Sequence, residues 1–102
     1  MTVAVPAAVL PMAYASTSER HHDVLRELME LPVTVFDPLT ATGAPELGLV
    51  LSTAADPEGL RSDAVALAHV VQSAHRRGWP VLTGNANGLR ALDPHLELNE
   101  LP

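Results

Sequence analysis

Five histidines offer the ring nitrogens that zinc sites commonly use. His21 and His22 are adjacent, so on a helix their side chains diverge by about 100°. His69 and His75 are six residues apart, which is not the i, i+4 spacing of a zinc-binding pair on one helix face. These spacings favour surface histidines over a metal site.

Two other segments carry residue types found in reactive sites. The glycine-containing stretch Thr83–Gly88 lacks the lysine and the spacing of a phosphate-binding P-loop. It is typical of a turn that joins a strand to a helix. The hydroxyl cluster Ser16–Ser18 has no recognisable base nearby, so it is interpreted as a set of helix caps.

Charge argues against tight binding of nucleic acid. The net charge is −6, and all six basic residues are arginines. An acidic surface repels phosphate, which disfavours sequence-independent binding to RNA or DNA. Arg76 and Arg77 stand together, but they fall at the end of a predicted helix, where the helix dipole favours positive charge.

Length and composition indicate one folded domain, residues 1–102. Hydrophobic residues make up 47% of the 102 residues, and most of them are Ala, Leu and Val. Small aliphatic side chains fit helices packed on a sheet. The absence of cysteine excludes disulfides and thiolate zinc sites, and it is compatible with a cytoplasmic protein. The apolar segment Val3–Ala15 contains two prolines and is too short to span a bilayer, so no membrane association is predicted.

The elements that must position any site alternate along the chain. Strands are predicted at residues 2–5, 33–36, 79–83 and 96–98. Helices are predicted at about 6–14, behind the Ser16–Glu19 capping pattern to about 30, and at 44–54, 60–77 and 85–92. Alternation of this kind predicts βαβ units and a mainly parallel sheet, that is, an α/β fold.

Asp37-Pro38 is a turn signal after the second strand, and Gly78 is the predicted C-cap of the helix at 60–77. Two helices have an apolar stripe on one face, formed by Val24, Leu25, Leu28, Met29 and Leu31 in the one that ends near 30, and by Leu60, Ala64, Leu67, Ala68 and Val71 in the one at 60–77.

The segment from Asp63 to Asp93 carries an acid that opens a helix, a glycine turn at Gly78, and a strand that ends in Thr83-Gly-Asn85. This segment resembles PIN-domain proteins, the family of many toxin–antitoxin ribonucleases. The start of the chain, from Val3 onward, resembles the family's second strand and its next helix. The resemblance implies a three-layer α/β/α domain with about four strands, in which the first strand is missing.

PIN nucleases resemble one another in placing about four acids around one or two Mg²⁺ or Mn²⁺ ions. The ions activate water and offset phosphate charge. The resemblance matches one of these acids to Asp63, while Asn85 and Met12 stand at two other acid positions. The remaining acid would lie before the first residue. The acidic cluster is therefore expected to be degenerate, and Asp63 can also be interpreted as a first-turn acid of its helix.

Three alternatives keep an intact nuclease open. The true start could lie upstream of Met1 and restore the missing strand with its acid. A second subunit could supply carboxylates. Substitute acids could approach Asp63 from Asp56, Glu58 or Asp93.

In the PIN-like order the missing strand would lie in the middle of the sheet. Its absence leaves two unpaired edges, and unsatisfied backbone groups at a buried edge are costly. The edges must pair directly or be filled by a partner. A homodimer joined through the N-terminal strand, or through helices around Ala7 to Leu28, is the simplest solution.

The leading hypothesis is thus a non-catalytic PIN-like interaction or regulatory protein, without a cofactor, that acts as a homodimer or on a protein partner. The alternative is a Mg²⁺- or Mn²⁺-dependent endoribonuclease of the toxin–antitoxin type, with RNA as its partner. In that alternative Asp63 and Asn85 lie near the metal. Candidate phosphate or RNA contacts are Thr83, Arg61, Arg76 and Arg77. A third hypothesis is an antitoxin-like regulator that binds nucleic acid through its arginines.

Overall fold

The computed structural model describes residues 1–53 and 63–101. Over these ranges it has four strands and five helices in a mixed α/β order. The strands are β1 (Val3–Pro6), β2 (Thr34–Asp37), β3 (Val81–Thr83) and β4 (Leu98–Glu100). The helices are α1 (Leu10–Ser16), α2 (His22–Met29), α3 (Ala44–Ser52), α4 (Ala64–Arg77) and α5 (Ala86–Leu92). This order confirms the predicted alternation of strands and helices.

The helix boundaries follow local sequence chemistry. Gly78 ends α4 in the left-handed conformation at φ 65°, and its N–H donates to the Ala74 carbonyl at 2.8 Å. Glycine adopts this conformation without a Cβ clash, so the predicted C-cap is confirmed. The Ser16–Glu19 capping pattern works differently from the prediction. Ser18 precedes a 3₁₀ turn at Glu19–His21, and α2 starts only at His22.

The four strands form two parallel pairs and not one sheet. β1 pairs with β2 so that Val3 lies opposite Thr34, and β3 pairs with β4 so that Val81 lies opposite Leu98. β1 and β3 do not pair with each other. The parallel pairing within each pair was predicted, whereas the single sheet of about four strands is not formed by the described residues.

The carboxyl ends of the two pairs lie at opposite ends of α4. β2 ends at Asp37, which binds Arg77 in the last turn of α4. β3 begins just after that turn, and the α5 start that follows β3 approaches Leu67, near the beginning of α4. The cause is the antiparallel arrangement of α3 and α4, in which Glu46 in the first turn of α3 contacts Arg76 in the last turn of α4. Two antiparallel helices return the chain to the end where β2 finished, whereas one crossover helix would have kept the strands parallel.

The core is built around α4. The buried hydrophobic residues are Leu47, Ala64, Ala68, Val71, Ala74, Leu89 and Leu92. Val81 of β3 and Leu98 of β4 are half-buried against this cluster. The predicted inward stripe of α4 is therefore confirmed at Ala64, Ala68 and Val71. In the described part of the chain, no helix has the length and apolar character that crossing a bilayer requires.

Candidate functional site

The Thr83–Asn85 segment forms the turn between β3 and α5. Thr83 Oγ1 accepts a hydrogen bond from the Asn85 N–H at 2.9 Å, and Asn85 Oδ1 accepts one from the Gly88 N–H at 3.2 Å. A Cβ at Gly88 would lie 2.7 Å from Asn85 Nδ2 and 3.0 Å from Leu67 Cδ1, so glycine is required for this close approach. Both polar side chains thus serve the strand-to-helix turn that the sequence predicted.

A cavity of about 200 Å³ lies beside this turn, at the carboxyl ends of β3 and β4. Its lining residues are Thr83, Gly84, Asn85, Ala86, Asn87, Glu100 and Leu101. Glu100 supplies a carboxylate, and its Oε1 accepts a hydrogen bond from Arg90 Nη1 at 2.8 Å. Ligand sites commonly form at the carboxyl ends of parallel strands. The sequence analysis missed Glu100 because it ended the last strand at Leu98.

Asp63 lies at the N-cap of α4, where its carbonyl accepts a hydrogen bond from the Leu67 N–H at 3.0 Å. Because Leu67 also approaches Gly88, Asp63 and Asn85 lie at the same end of α4. Within residues 1–53 and 63–101, no three His, Asp or Glu side chains are grouped in a way that could hold a metal ion. The remaining candidates Asp56, Glu58 and Arg61 lie outside the described residues.

Arg76 and Arg77 both have carboxylate partners. Arg76 Nη2 lies 2.8 Å from Glu46 Oε2 on α3, and both side chains are half-exposed. Arg77 donates through Nε and Nη2 to the two oxygens of Asp37, at 2.9 and 2.5 Å. The Arg77 guanidinium also lies 4.8 Å from the centre of the Trp79 ring, a cation–π contact. These two arginines therefore join elements of the fold.

Asp37 is a fixed anchor between β2 and α4. Besides Arg77, the Ser73 hydroxyl donates a hydrogen bond to the Asp37 carboxylate. The bonds from Arg77, and secondarily from Ser73, lower the pKa of Asp37 to about 2 against the cost of burial. The sequence analysis interpreted Asp37 only as part of a turn, because its partners lie some 40 residues away.

His69 is buried, and the prediction of a surface histidine is wrong for it. Its ring is 2% exposed, and Nδ1 accepts a hydrogen bond from the Ala8 N–H at 3.3 Å. Burial lowers the pKa of His69, although a hydrogen bond to the Pro38 carbonyl opposes this effect. His75 is exposed as predicted and lies 2.6 Å from Asp93.

The sequence around His69 gave an ambiguous indication that this side chain is buried. His69 directly follows the buried Ala68, and the next turn carries the buried polar residues Gln72 and Ser73. Together they widen the inward face of α4 beyond its apolar stripe. A polar run of this kind normally lies on a solvated face, so sequence alone favours exposure.

A second candidate site is an apolar surface on residues 1–42, called the N-terminal segment below. No side chain of this segment is buried. Apolar residues follow one face of α2, yet Val24 is 53% and Leu28 is 47% exposed. Beside them, Thr34 at the start of β2 donates from Oγ1 to the Leu28 carbonyl. The exposed members of this N-terminal apolar surface are Val3, Val24, Leu28, Leu31, Val33 and Phe36.

Backbone contacts make this surface continuous. Val3 donates from its N–H to the Val33 carbonyl at 2.8 Å, and Thr34 donates to the Leu31 carbonyl at 3.0 Å. Val3 lies opposite Thr34, and Phe36 projects to the same sheet face two residues further along β2. Contiguous exposed apolar patches on soluble proteins commonly mark interaction sites.

No family model, curated protein or solved structure matches this chain. The resemblance to PIN-domain proteins therefore depends on the quoted residues alone. What the protein does must follow from its own contacts, charges and exposed surfaces.

Proposed function

We propose that this protein is a non-catalytic interaction protein that acts as a homodimer through its N-terminal apolar surface. The observation that carries the proposal is the half-exposed apolar face of α2, with Val24 and Leu28 at its centre. An amphipathic helix usually buries its apolar face against a core. On α2 no residue is buried, so the face is free to take a partner.

A second copy of the chain is the partner that the surface suits. Two-fold homodimers are the commonest oligomers, and each copy would offer the same patch. The flanks of α2 carry both signs of charge, from Arg20, Asp23, Arg26 and Glu27. Arg26 already pairs with Asp23 on the same helix, so two copies can approach without strong local repulsion.

A PIN-like origin remains part of the proposal. It depends on the alternating order of strands and helices and on the segment from Asp63 to Asp93. The opposite placement of the two carboxyl ends along α4 does not support it. The three-layer arrangement is accordingly proposed on the sequence resemblance.

A metal-dependent endoribonuclease is the second candidate, favoured by the Glu100 carboxylate beside Thr83 and Asn85 at the cavity. Oxygen ligands from Asp63, Asn85 and Glu100 suit Mg²⁺ or Mn²⁺. Calorimetric titration with Mn²⁺ separates the two functions. Micromolar binding that is lost in Asp63→Ala and in Glu100→Gln would support the nuclease, and absence of heat would leave the non-catalytic function.

Sedimentation velocity tests the homodimer directly. We expect the unmodified protein to sediment as a dimer at micromolar concentration and Leu28→Glu to sediment as a monomer, because a charge at the centre of the apolar patch opposes its burial. The matched control is Leu49→Glu on α3. Leu49 is 67% exposed but lies outside the N-terminal apolar surface, so this variant should remain a dimer.

Two results would contradict the proposed dimer. One is a monomeric unmodified protein at tens of micromolar. The other is dissociation by Leu49→Glu to the same extent as by Leu28→Glu. Circular dichroism on both variants confirms that each remains folded before the comparison is made.

A further inference from the structure

The His69 ring connects three elements of the fold. It projects from the middle of α4 and is almost completely buried. On one side Nδ1 accepts a hydrogen bond from the Ala8 N–H, two residues after β1 ends. On the other side lies the carbonyl of Pro38, one residue after β2 ends, which raises the pKa of the ring. One imidazole therefore lies between the ends of both N-terminal strands and the central helix.

The Ala8 bond requires the neutral ring, whereas the Pro38 carbonyl favours the protonated one. Since Nδ1 accepts a hydrogen bond, the single ring proton of neutral His69 lies on Nε2, where it can be donated to the Pro38 carbonyl. A second proton would occupy Nδ1, so that two N–H donors would face each other. The Ala8 amide would lose its acceptor, and a buried charge would form.

The surrounding charges offset only part of the cost of burying a positive ring. Asp37 on β2 attracts it and Arg76 on α4 repels it. Asp37 is already bound by Arg77 and Ser73, while Arg76 pairs with Glu46 on α3. The Ala8 and Pro38 groups that touch the ring are backbone atoms without a charge. Asp37, with a pKa of about 2, stays ionised between pH 7 and pH 5 and cannot itself report on this range.

The N-terminal segment also packs against α4 through β1 and the 3₁₀ turn at Ala7–Val9. None of its side chains is buried, and the buried apolar cluster is built from residues of α3, α4 and α5. Its identified side-chain bonds to α4 are those of Asp37 with Ser73 and Arg77, and that of Ala8 with His69. Loss of the Ala8–His69 bond thus removes the one of these polar attachments to α4 that does not involve Asp37.

We infer that His69 is a pH-sensitive latch, and that acidification from pH 7 to pH 5 releases the N-terminal segment from α4 while α4 and α5 stay packed. In the released state the ring is hydrated and regains its ordinary pKa of 6.5, above its pKa in the folded protein. The latch is therefore at full strength above pH 6.5 and weakens as the pH falls below it. The latch does not depend on the proposed homodimer.

Hydrogen exchange measured by mass spectrometry at pH 7 and pH 5 tests this inference. After correction for the intrinsic exchange rate, we expect amides in residues 1–42 to exchange up to roughly 25-fold faster at pH 5, the limit for one histidine with an ordinary pKa of 6.5 in the released state. Protection in α4 and α5 should change little. The experiment is repeated in Leu28→Glu so that self-association does not enter.

Two variants test whether His69 causes the pH dependence of hydrogen exchange. In His69→Asn the side-chain oxygen can still accept from the Ala8 N–H but cannot titrate, so the pH dependence of exchange should disappear. His75→Asn, on the same helix but exposed, should retain it. Uniform loosening of the whole chain, no difference between pH 7 and pH 5, or a pH response that survives in His69→Asn would overturn the latch.

If His69→Asn does not fold, the unmodified protein still decides the question. Titration of the imidazole resonances by nuclear magnetic resonance gives the pKa of His69. The latch requires a value below 6.5, together with movement of the Ala8 amide resonance along the same curve. A pKa at or above 6.5 contradicts it.

Discussion

The N-terminal segment and the rest of the described chain contain similar secondary structure but differ in what holds it together. Among residues 1–53 and 63–101, the seven buried hydrophobic residues all lie between Leu47 and Leu92. The N-terminal segment has two strands and two helices, yet none of its side chains is fully buried. Polar anchors at Asp37 and His69 join it to α4.

This difference separates two sources of stability. Short helices are marginal in water and depend on tertiary packing, which α4 and α5 obtain from the core. α2 has an apolar face that suits such packing, but none of its residues is buried by the rest of the described chain. The N-terminal segment is therefore expected to open before the core does, at a free energy below that of global unfolding.

The largest expected effect comes from the core. Leu89→Ala removes a side chain that is 1% exposed, and should lower the free energy of unfolding by about 2–5 kcal/mol. The matched change on the other side of the comparison is Leu28→Ala, for which we expect less than about 1 kcal/mol. Urea denaturation measures both, at a concentration where the protein is monomeric. Equal losses would mean that the two regions share one core.

The next effect concerns the Asp37 anchor. Since the folded pKa of Asp37, about 2, lies below its ordinary 3.8, the carboxylate stabilises the fold above pH 3.8 and this contribution is lost as the pH falls towards 2. Asp37→Asn should lower the Tm by roughly 10 °C at pH 7 and by progressively less below pH 4.

Glu46→Gln is the control for that anchor. It breaks the half-exposed pair with Arg76, and exposed ion pairs contribute little to stability. Its Tm should stay within about 2 °C of the unmodified protein. A larger loss in Glu46→Gln than in Asp37→Asn would show that the α3–α4 contact, and not β2, is the main polar attachment.

The smallest effect is local. Asn85→Ala removes the acceptor for the Gly88 N–H at the start of α5 and should cost about 1 kcal/mol in urea denaturation. Asn85→Asp retains an acceptor and should cost less. If Asn85→Ala destabilised the protein as much as Leu89→Ala, the turn and not the core would dominate this region.

Local features of the fold were predictable, because they depend on neighbouring residues. The stripe of α4, its end at Gly78 and the turn at Asn85 all follow from short-range chemistry. The opposite direction of β3 relative to β2 could also have been inferred from the sequence. Two helices were predicted between the second and third strands, and two antiparallel helices reverse the direction. The alternation of strands and helices was instead interpreted as one mainly parallel sheet, and this prediction is wrong for the described residues.

Other features could not be predicted, because they depend on residues that are distant in the sequence or on whether a surface binds a partner. The buried state of His69 depends on Ala8 and Pro38, which are far away in the sequence. The apolar stripe of α2 was predicted to face inward, because periodicity alone cannot distinguish a core-facing stripe from an interaction surface. Of the candidate metal site, the sequence identified Asp63 and Asn85, and the end of β4 added Glu100.

The contact between Arg77 and Trp79 gives the molecule an intrinsic optical reporter. Trp79 is the only tryptophan in the chain, and the guanidinium over its ring is the same group that binds Asp37 at the end of β2. Any event that detaches β2 changes the surroundings of that guanidinium and therefore of the indole. Attachment of the N-terminal segment can thus be followed by fluorescence in the unlabelled protein, in real time and at nanomolar concentration.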